Sequence, residues 1–481
     1  MSSFDQGSRP LDVVIRNAVL ATASDTTPCE IGIRDGIVAV LGTDLPRGRS
    51  EIDAQGRIVT PGGVDGHCHI DQPMAPPVRL SDDFESGSRS AACGGTTTII
   101  PFAAQRKGGS LREAVDDYHR RATGRSCVDY GFHLIVSDPT PTVLRDELPE
   151  QIAQGLSSFK LYMTYDAVKL SDHQILKLLA LARDHGATAL VHAENTDCIA
   201  WMTENLVSAG KIAPRYHALS RPLLVEREGT HRAIALSELV DVPILIVHVS
   251  GHEAVEQIRW ARGKGLNIFA ETCPQYLLLT AEDLGIDDSY TGARCVCSPP
   301  PRDRDSQEAI WHGLADGLFT IFSSDHSPFN LGGANGKHPG SNEVPFPLIP
   351  NGVPGIETRL PLLYSEGVLG GRITLNKFVE LTAANPAKLY GIHPRKGTIA
   401  IGSDADLVVW GTEPVLLGNH MLHHGADYTP YEGMRLKAWP VCTMLRGEVI
   451  WDGVTFTGRV GAGQFLRRGS SSMLGTRSAT R

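Results

Sequence analysis

A chain of 481 residues, 41% hydrophobic and 21% charged, has the composition of a folded globular protein too long for one ordinary core. Its formal net charge of -9, with no basic stripe interleaved with aromatics, excludes a nucleic-acid partner, because phosphate-backbone binding needs Lys and Arg gathered on one face. No stretch reaches the ~18 to 20 continuous apolar residues of a membrane span, so no membrane partner is expected. Residues 1–10 lack the apolar core of a signal peptide. Nine scattered cysteines without a CxxC pair read as free thiols in a reducing compartment, which makes the cytoplasm the expected location.

In chain order, short strands come first, over 13–16, 30–34, 37–41 and 57–59, with Asp35-Gly36 as a turn. Eight further strands follow, over 64–70, 97–102, 130–136, 158–163, 187–192, 244–249, 267–272 and 320–324. They are apolar on both faces, as buried parallel strands require. Helices lie between them, and Ser110 with Glu113, Ser171 with Gln174 and Ser250 with Glu253 each spell a capping box. Gly186 supplies a helix stop. Strands return at 406–410, 441–446 and 448–451, around a hairpin turn at Gly447. The pattern predicts an α/β protein with a (β/α)8 TIM barrel over 62–394; the alternative, an open doubly wound sheet, lacks a Gly-rich phosphate fingerprint after the first strand. Segments 1–61 and 395–460 pair into a small β-sandwich, since each alone would leave an apolar face wet. Residues 461–481, rich in Ser, Gly and Arg, read as a flexible tail or an arm on a neighbouring subunit.

In such a barrel the chemistry sits at the C-terminal ends of the strands. His67 and His69 close the first strand, Lys160 lies in the fourth, His192 and His248 close the fifth and sixth, and Asp325 follows the eighth. Residues i and i+2 of a strand share a side, so His67 and His69 can face one ion, and divalent metals such as Zn2+ take imidazole and carboxylate donors. Any one of these histidines alone reads as an ordinary strand-end side chain. Their joint placement on one rim points to metal. Lys160, flanked by Phe159 and Leu161, is costly to bury. It is either a snorkelling or ion-paired side chain, or an amine neutral enough to capture carbon dioxide as a bridging carbamate. Glu194 and Asn195 either orient ligands or cap a loop. His420, His423 and His424 form a cluster in a polar loop and read as surface, while His133, His185, His231 and His312 show no partner pattern.

The strings Asp65-Gly66-His67-Cys68-His69, Phe159-Lys160-Leu161-Tyr162-Met163-Thr164-Tyr165, Val191-His192-Ala193-Glu194-Asn195, Val247-His248-Val249-Ser250 and Ser324-Asp325-His326 resemble the dihydropyrimidinase/D-hydantoinase branch of the amidohydrolase superfamily. Cys297-Ser298-Pro299-Pro300 and Asn351 through Glu357 extend the resemblance, which runs from about Leu11 to Thr457.

The resemblance implies a metal-dependent hydrolase that opens small cyclic amides or imides. One divalent ion, expected as Zn2+, sits on His67, His69, carboxylated Lys160 and Asp325. A second sits on Lys160, His192 and His248. It further implies Asp325 as proton carrier, Tyr165 as oxyanion donor, the backbones of Ser298 and Asn351 as ring holders, and a homotetramer or homodimer. Tyr162 and Met74 fall where relatives line the substrate pocket. Ser327 replaces a common Cys, 330–343 is longer and richer in Gly than usual, and Lys169 stands where an aromatic is common. The alternatives are an allantoinase- or dihydroorotase-like hydrolase, or a scaffold that has lost its metals.

Overall fold

The computed structural model describes residues 9–74, 78–333, 336–338 and 344–474. Both ends of the chain are β-rich, as their turn chemistry predicts. Val13–Arg16, Glu30–Arg34, Ile37–Gly42 and Ser50–Asp53 make a four-stranded sheet. Leu407–Trp410, Pro440–Leu445 and Glu448–Trp451 join Ile58–Pro61, Val19–Ala21 and Thr26–Pro28 in a six-stranded sheet. The seam is antiparallel, Val408 facing Thr60. Ile15, Ile31 and Ile33 of one sheet pack with Val59, Leu407 and Val409 of the other in a single apolar cluster. Asp35-Gly36 and Arg446-Gly447 both hold φ between 46° and 77° at the two central positions, the geometry that lets a two-residue turn follow the strand twist. Strands 26–28 and 50–53 escaped the sequence reading because both are polar edges with no alternation to read.

Between these ends runs a curled parallel sheet. Seven of its strands are Phe102–Ala104, His133–Ile135, Ser158–Tyr162, Thr188–His192, Ile244–Ile246, Ile268–Thr272 and Ile321–Phe322, in that order. Gly63–Asp65, Thr96–Ile99 and Asp129–Tyr130 form a shorter parallel sheet beside it. The second and third expected strands are thus each split, the second at Pro101, which has no N–H for the ladder. The first strand, expected to reach residue 70, stops at Asp65. Beyond it Cys68 bridges His326, and His69 N–H donates to the His326 carbonyl at 2.6 Å, so the last strand's continuation returns to the first. Strands 158–162, 188–192 and 268–272 are buried at every position, as a sheet covered on both faces demands.

The helix signals divide. Ser171 closes its box on Asp172–His185, which ends at Gly186 with φ 64°. Ser110 caps Leu111–Ala122. Ser250 does not cap; Gly251 precedes helix His252–Gly263. The Ser250 hydroxyl is instead held between Glu226 Oε2 (2.5 Å) and Arg302 Nε (2.9 Å).

Of residues 461–481, expected as a free tail or a subunit arm, 461–474 pack on their own chain and 475–481 lie outside the described residues. Phe465 bridges Tyr130, and buried Arg468 donates to Ser158 Oγ at 2.7 Å and to the Phe132 carbonyl. Phe465 and Leu466 bury against the apolar floor of the curled sheet, which fixes the segment.

One buried ion cluster ties the C-terminal strands to the curled sheet. Lys396 Nζ lies 2.6 Å from Asp129 Oδ2, 2.6 Å from Asp406 Oδ2 and 2.9 Å from Asp404 Oδ2, and Arg446 pairs with Asp129. Burial pushes the Asp406 carboxyl up while the Lys396 charge opposes it. Lys396→Met removes the cation and leaves the carboxylates buried, so the variant should lose about 3 to 5 kcal/mol in urea unfolding at neutral pH. Without the ammonium the Asp406 carboxyl, already raised by burial, rises further above its unfolded value. The deficit should therefore shrink as the pH falls through that folded value.

Candidate active site

The curled sheet delivers the sequence-predicted groups to one rim. Lys160 stands mid-strand in 158–162, and its Nζ lies 2.7 Å from His67 Nε2. His67 Nε2 is 3.2 Å from Asp325 Oδ1, and His69 Nε2 is 3.5 Å from the same oxygen. Ring centroids separate His67 from His69 by 5.6 Å, His67 from His248 by 5.4 Å and His192 from His248 by 4.4 Å. All six predicted ligands therefore converge. The ligand atoms of His67, His69 and Asp325 lie within 4.8 Å of one another, close enough to share one ion.

Each imbalance of charge here has a visible cause. His67 Nδ1 lies 2.6 Å from Glu271 Oε1, and His69 Nδ1 faces Gln72 Oε1 at 2.6 Å. His192 Nε2 donates to Glu194 Oε2 at 2.7 Å. One nitrogen of each ring is thus spent, and the other is left as a lone pair. Burial pushes His67, His192 and His248 down, so the rings are neutral donors at neutral pH. Burial also lowers the Lys160 ammonium to about 8. Against burial, His67, His69 and His248 hold the Asp325 carboxyl well below the usual carboxylate range, and Arg221 and His192 do the same for Glu194. His248 Nδ1, Glu194 Oε1 and Glu271 Oε2 are buried without a hydrogen-bond partner. Neutral imidazoles, a hard carboxylate and orphaned polar atoms in one pocket fit divalent cations.

Tyr165 takes φ 69° and sets its ring 5.4 Å from that of His192, with the Arg221 guanidinium 5.4 Å from the ring centre. Desolvation pushes its hydroxyl up to about 12, with Arg221 pulling the other way. The residue keeps part of its surface open. Tyr162 stacks on His192 at 5.5 Å. Ser298 Oγ donates to Asn351 Oδ1 at 3.2 Å, so the two predicted ring holders meet. Met74 is exposed two residues past Gln72 and lines a surface cleft with Asp71, Arg79 and Arg121. Residues 75–77 beside it lie outside the described set, as do 334–335 and 339–343 of the longer loop.

Several supporting residues were invisible in the sequence. Glu271 and Arg221 sit in unrelated segments, and only folding brings them to His67 and Glu194. His133, which showed no pattern, bonds Ser158 Oγ at 2.6 Å and the Gly66 carbonyl at 2.9 Å beneath the site. His217 Nε2 supports the Cys297 carbonyl at 2.8 Å. The adjacent pair Glu194-Asn195 divides its labour: Glu194 orients His192, and Asn195 caps helix Thr196–Ser208. The 420–424 cluster is not all surface, because His423 is half-buried against Glu357.

A parallel α/β sheet with imidazoles, an amine and a carboxylate on one rim defines a metal-binding hydrolase architecture. The model of the amidohydrolase family matches residues 58–450, and the chain belongs to that family. A D-hydantoinase of Rhizobium radiobacter is 44% identical over 461 residues, 95% of this chain and 99% of the relative. A solved D-hydantoinase structure superposes with a TM-score of 0.92 at 42% identity, over 96% of this chain and 99% of that one. The crystal structure of a dihydropyrimidinase from Brevibacillus agri gives 0.91 at 40% identity, over 95% and 99%.

If Glu194 fixes the His192 ring, Glu194→Gln should weaken divalent-metal retention about 10- to 100-fold. Metal content after dialysis against graded chelator measures this, and unchanged retention would remove the orienting role.

Proposed function

We propose that this chain is a binuclear metal-dependent cyclic amidohydrolase. It hydrolyses the ring C–N bond of a dihydropyrimidine or a 5-substituted hydantoin to an N-carbamoyl amino acid. The observation that carries this reading is the meeting of His67, His69, Lys160, His192, His248 and Asp325 on one rim. The names of the hydantoinase and dihydropyrimidinase relatives, which align nearly end to end, support the substrate class.

The same reading makes 62–394 a closed (β/α)8 TIM barrel and makes 1–61 with 395–460 a β-sandwich. The Cys68–His326 bridge and the shared six-stranded sheet support it. A homotetramer or homodimer and a cytoplasmic location complete the proposal, the latter supported by nine free cysteines.

His67, His69, Lys160 and Asp325 would hold one ion, expected as Zn2+, and Lys160, His192 and His248 the other. Lowered to about 8 in a buried strand, the Lys160 amine carries a neutral fraction near neutral pH. Its lone pair adds to carbon dioxide and it sheds a proton, leaving a carbamate anion with two oxygens to share. Bound there, the cation pair supplies Lewis acidity and brings the pKa of a water from about 15.7 toward 7. Asp325, an acceptor at neutral pH, takes the proton of the attacking water and returns it to the leaving ring nitrogen. Tyr165, kept protonated by its raised pKa, donates to the developing oxyanion. Ser298 and Asn351 orient the ring amide or imide, and Tyr162 and Met74 would border its exocyclic group.

Removing one oxyanion donor typically costs about 10²- to 10³-fold in rate, so Tyr165→Phe should retain its metals and lose turnover by that factor. Full activity in that variant would refute the oxyanion role. Lys160→Ala should lose the ion pair; a variant still carrying two tightly bound metals would overturn the bridge. Assays of dihydrouracil, hydantoin, 5-phenylhydantoin and allantoin, with metal content measured on the same sample, test the substrate class. Turnover of allantoin alone would favour the allantoinase-like alternative.

A further inference from the structure

Among the described residues, just one other set of three His, Cys, Asp or Glu side chains converges as tightly as the rim of the curled sheet does. Cys93, Glu357 and His423 bring a sulfur, a carboxylate oxygen and an imidazole nitrogen within 4.8 Å of one another. Three separate segments build it. Cys93 ends helix Phe84–Cys93, Glu357 follows the Asn351 loop, and His423 comes from the C-terminal segment. Gly94 holds the first two together: a Cβ there would stand 2.1 Å from the Glu357 carbonyl oxygen, so the helix end rests directly on that backbone.

His423 Nδ1 lies 2.8 Å from Glu357 Oε1, while Glu357 Oε2 accepts from His423 N–H at 2.8 Å and from Ser90 Oγ at 2.9 Å. Trp451 packs edge-on against the His423 ring at 5.2 Å. The Cys93 thiol is raised by burial and stays protonated in the absence of an ion. On its outer side His423 borders a cavity of about 430 Å³ that His420, Trp439 and Trp451 also line. Of the three donors only His423 reaches that cavity, while Cys93 and Glu357 are buried behind it.

We propose that Cys93, Glu357 and His423 form a third divalent-cation site, separate from the catalytic rim, that takes a borderline metal such as zinc or cobalt. A thiolate, an imidazole and a carboxylate are the donors such ions take in four-coordinate sites. On binding, the Cys93 S–H proton leaves to solvent as the S–metal bond forms, and His423 exchanges its contact to Glu357 for the ion. The site joins the helix after the first parallel strand to the C-terminal segment, so its role is to clamp these segments together.

Cobalt offers a direct test, because the ligands assigned to the rim are nitrogen and oxygen donors, and a thiolate-to-cobalt charge-transfer band that Cys93→Ser abolishes reports this cluster. Metal-stripped full-length protein titrated with Co2+ should bind a third equivalent and develop that near-ultraviolet band. Cys93→Ser should lose both the band and one equivalent while keeping ring-opening activity. His423→Ala, which alters a loop side chain rather than the buried helix end, should weaken the third equivalent and leave the first two. Saturation of active wild-type protein at two equivalents without the band would overturn the proposal and leave the catalytic reading intact. A band with neither catalytic metals nor activity would do the reverse.

Discussion

The chemistry of this protein depends on one constraint: a buried imidazole must spend one nitrogen on an acceptor to have the other in a defined place. His67, His69 and His192 obey it through Glu271, Gln72 and Glu194. Burial adds the second condition, since it disfavours the imidazolium and keeps the lone pairs available. Neither condition alone suffices. A neutral ring free to rotate would present its donor in many directions, and a fixed but protonated ring would present none.

Glu194, one of these acceptors, is a buried charge, and its cost is offset by a continuous network. Glu194 is held by His192 and by Arg221 at 2.6 Å, and Arg302 donates to the Arg221 carbonyl and pairs with Glu226 at 3.1 Å. Glu226 Oε1 in turn accepts from the Ser250 N–H at 2.7 Å, two residues past His248. The loops that carry His192 and His248 are thereby joined through two arginines and two glutamates. This is also why Ser250 fails as a helix cap: its hydroxyl serves the network. A buried ion pair gains little net stability by itself, but a connected chain of them restricts the arrangements open to each member.

What could be read from the sequence follows the range of the forces involved. Periodicity and turn residues are local, so strands such as 13–16, 30–34 and 448–451 and the stop at Gly186 were legible to the residue. The groups that gather on the rim were legible because strand ends mark most of them, and the resemblance of the motifs supplied the roles proposed for Lys160 and Tyr165. Glu271, Arg221 and Gln72 were not, because nothing local distinguishes a carboxylate that will face His67 from one that will face water. The packing of Arg468 was hidden for the same reason. A Gly- and Ser-rich segment looks free in one dimension, and only the floor of the curled sheet gives it a partner.

Strand regularity breaks at three residues of the site. His248, Asp325 and Tyr165 all adopt φ between 42° and 69°, a region that costs a side-chain-bearing residue about 1 to 3 kcal/mol. The expected first strand also ends early, at Asp65, just before His67. A strand that continued regularly would carry its side chains alternately into the core and away from it, at a fixed pitch that no cluster of ligands shares. Turning the chain into the left-handed region at its exit redirects one side chain toward the common centre without moving the strand beneath it. Regular strands thus carry Lys160 and His192 directly, while at His248 and Asp325 an irregular residue sets where the side chain points.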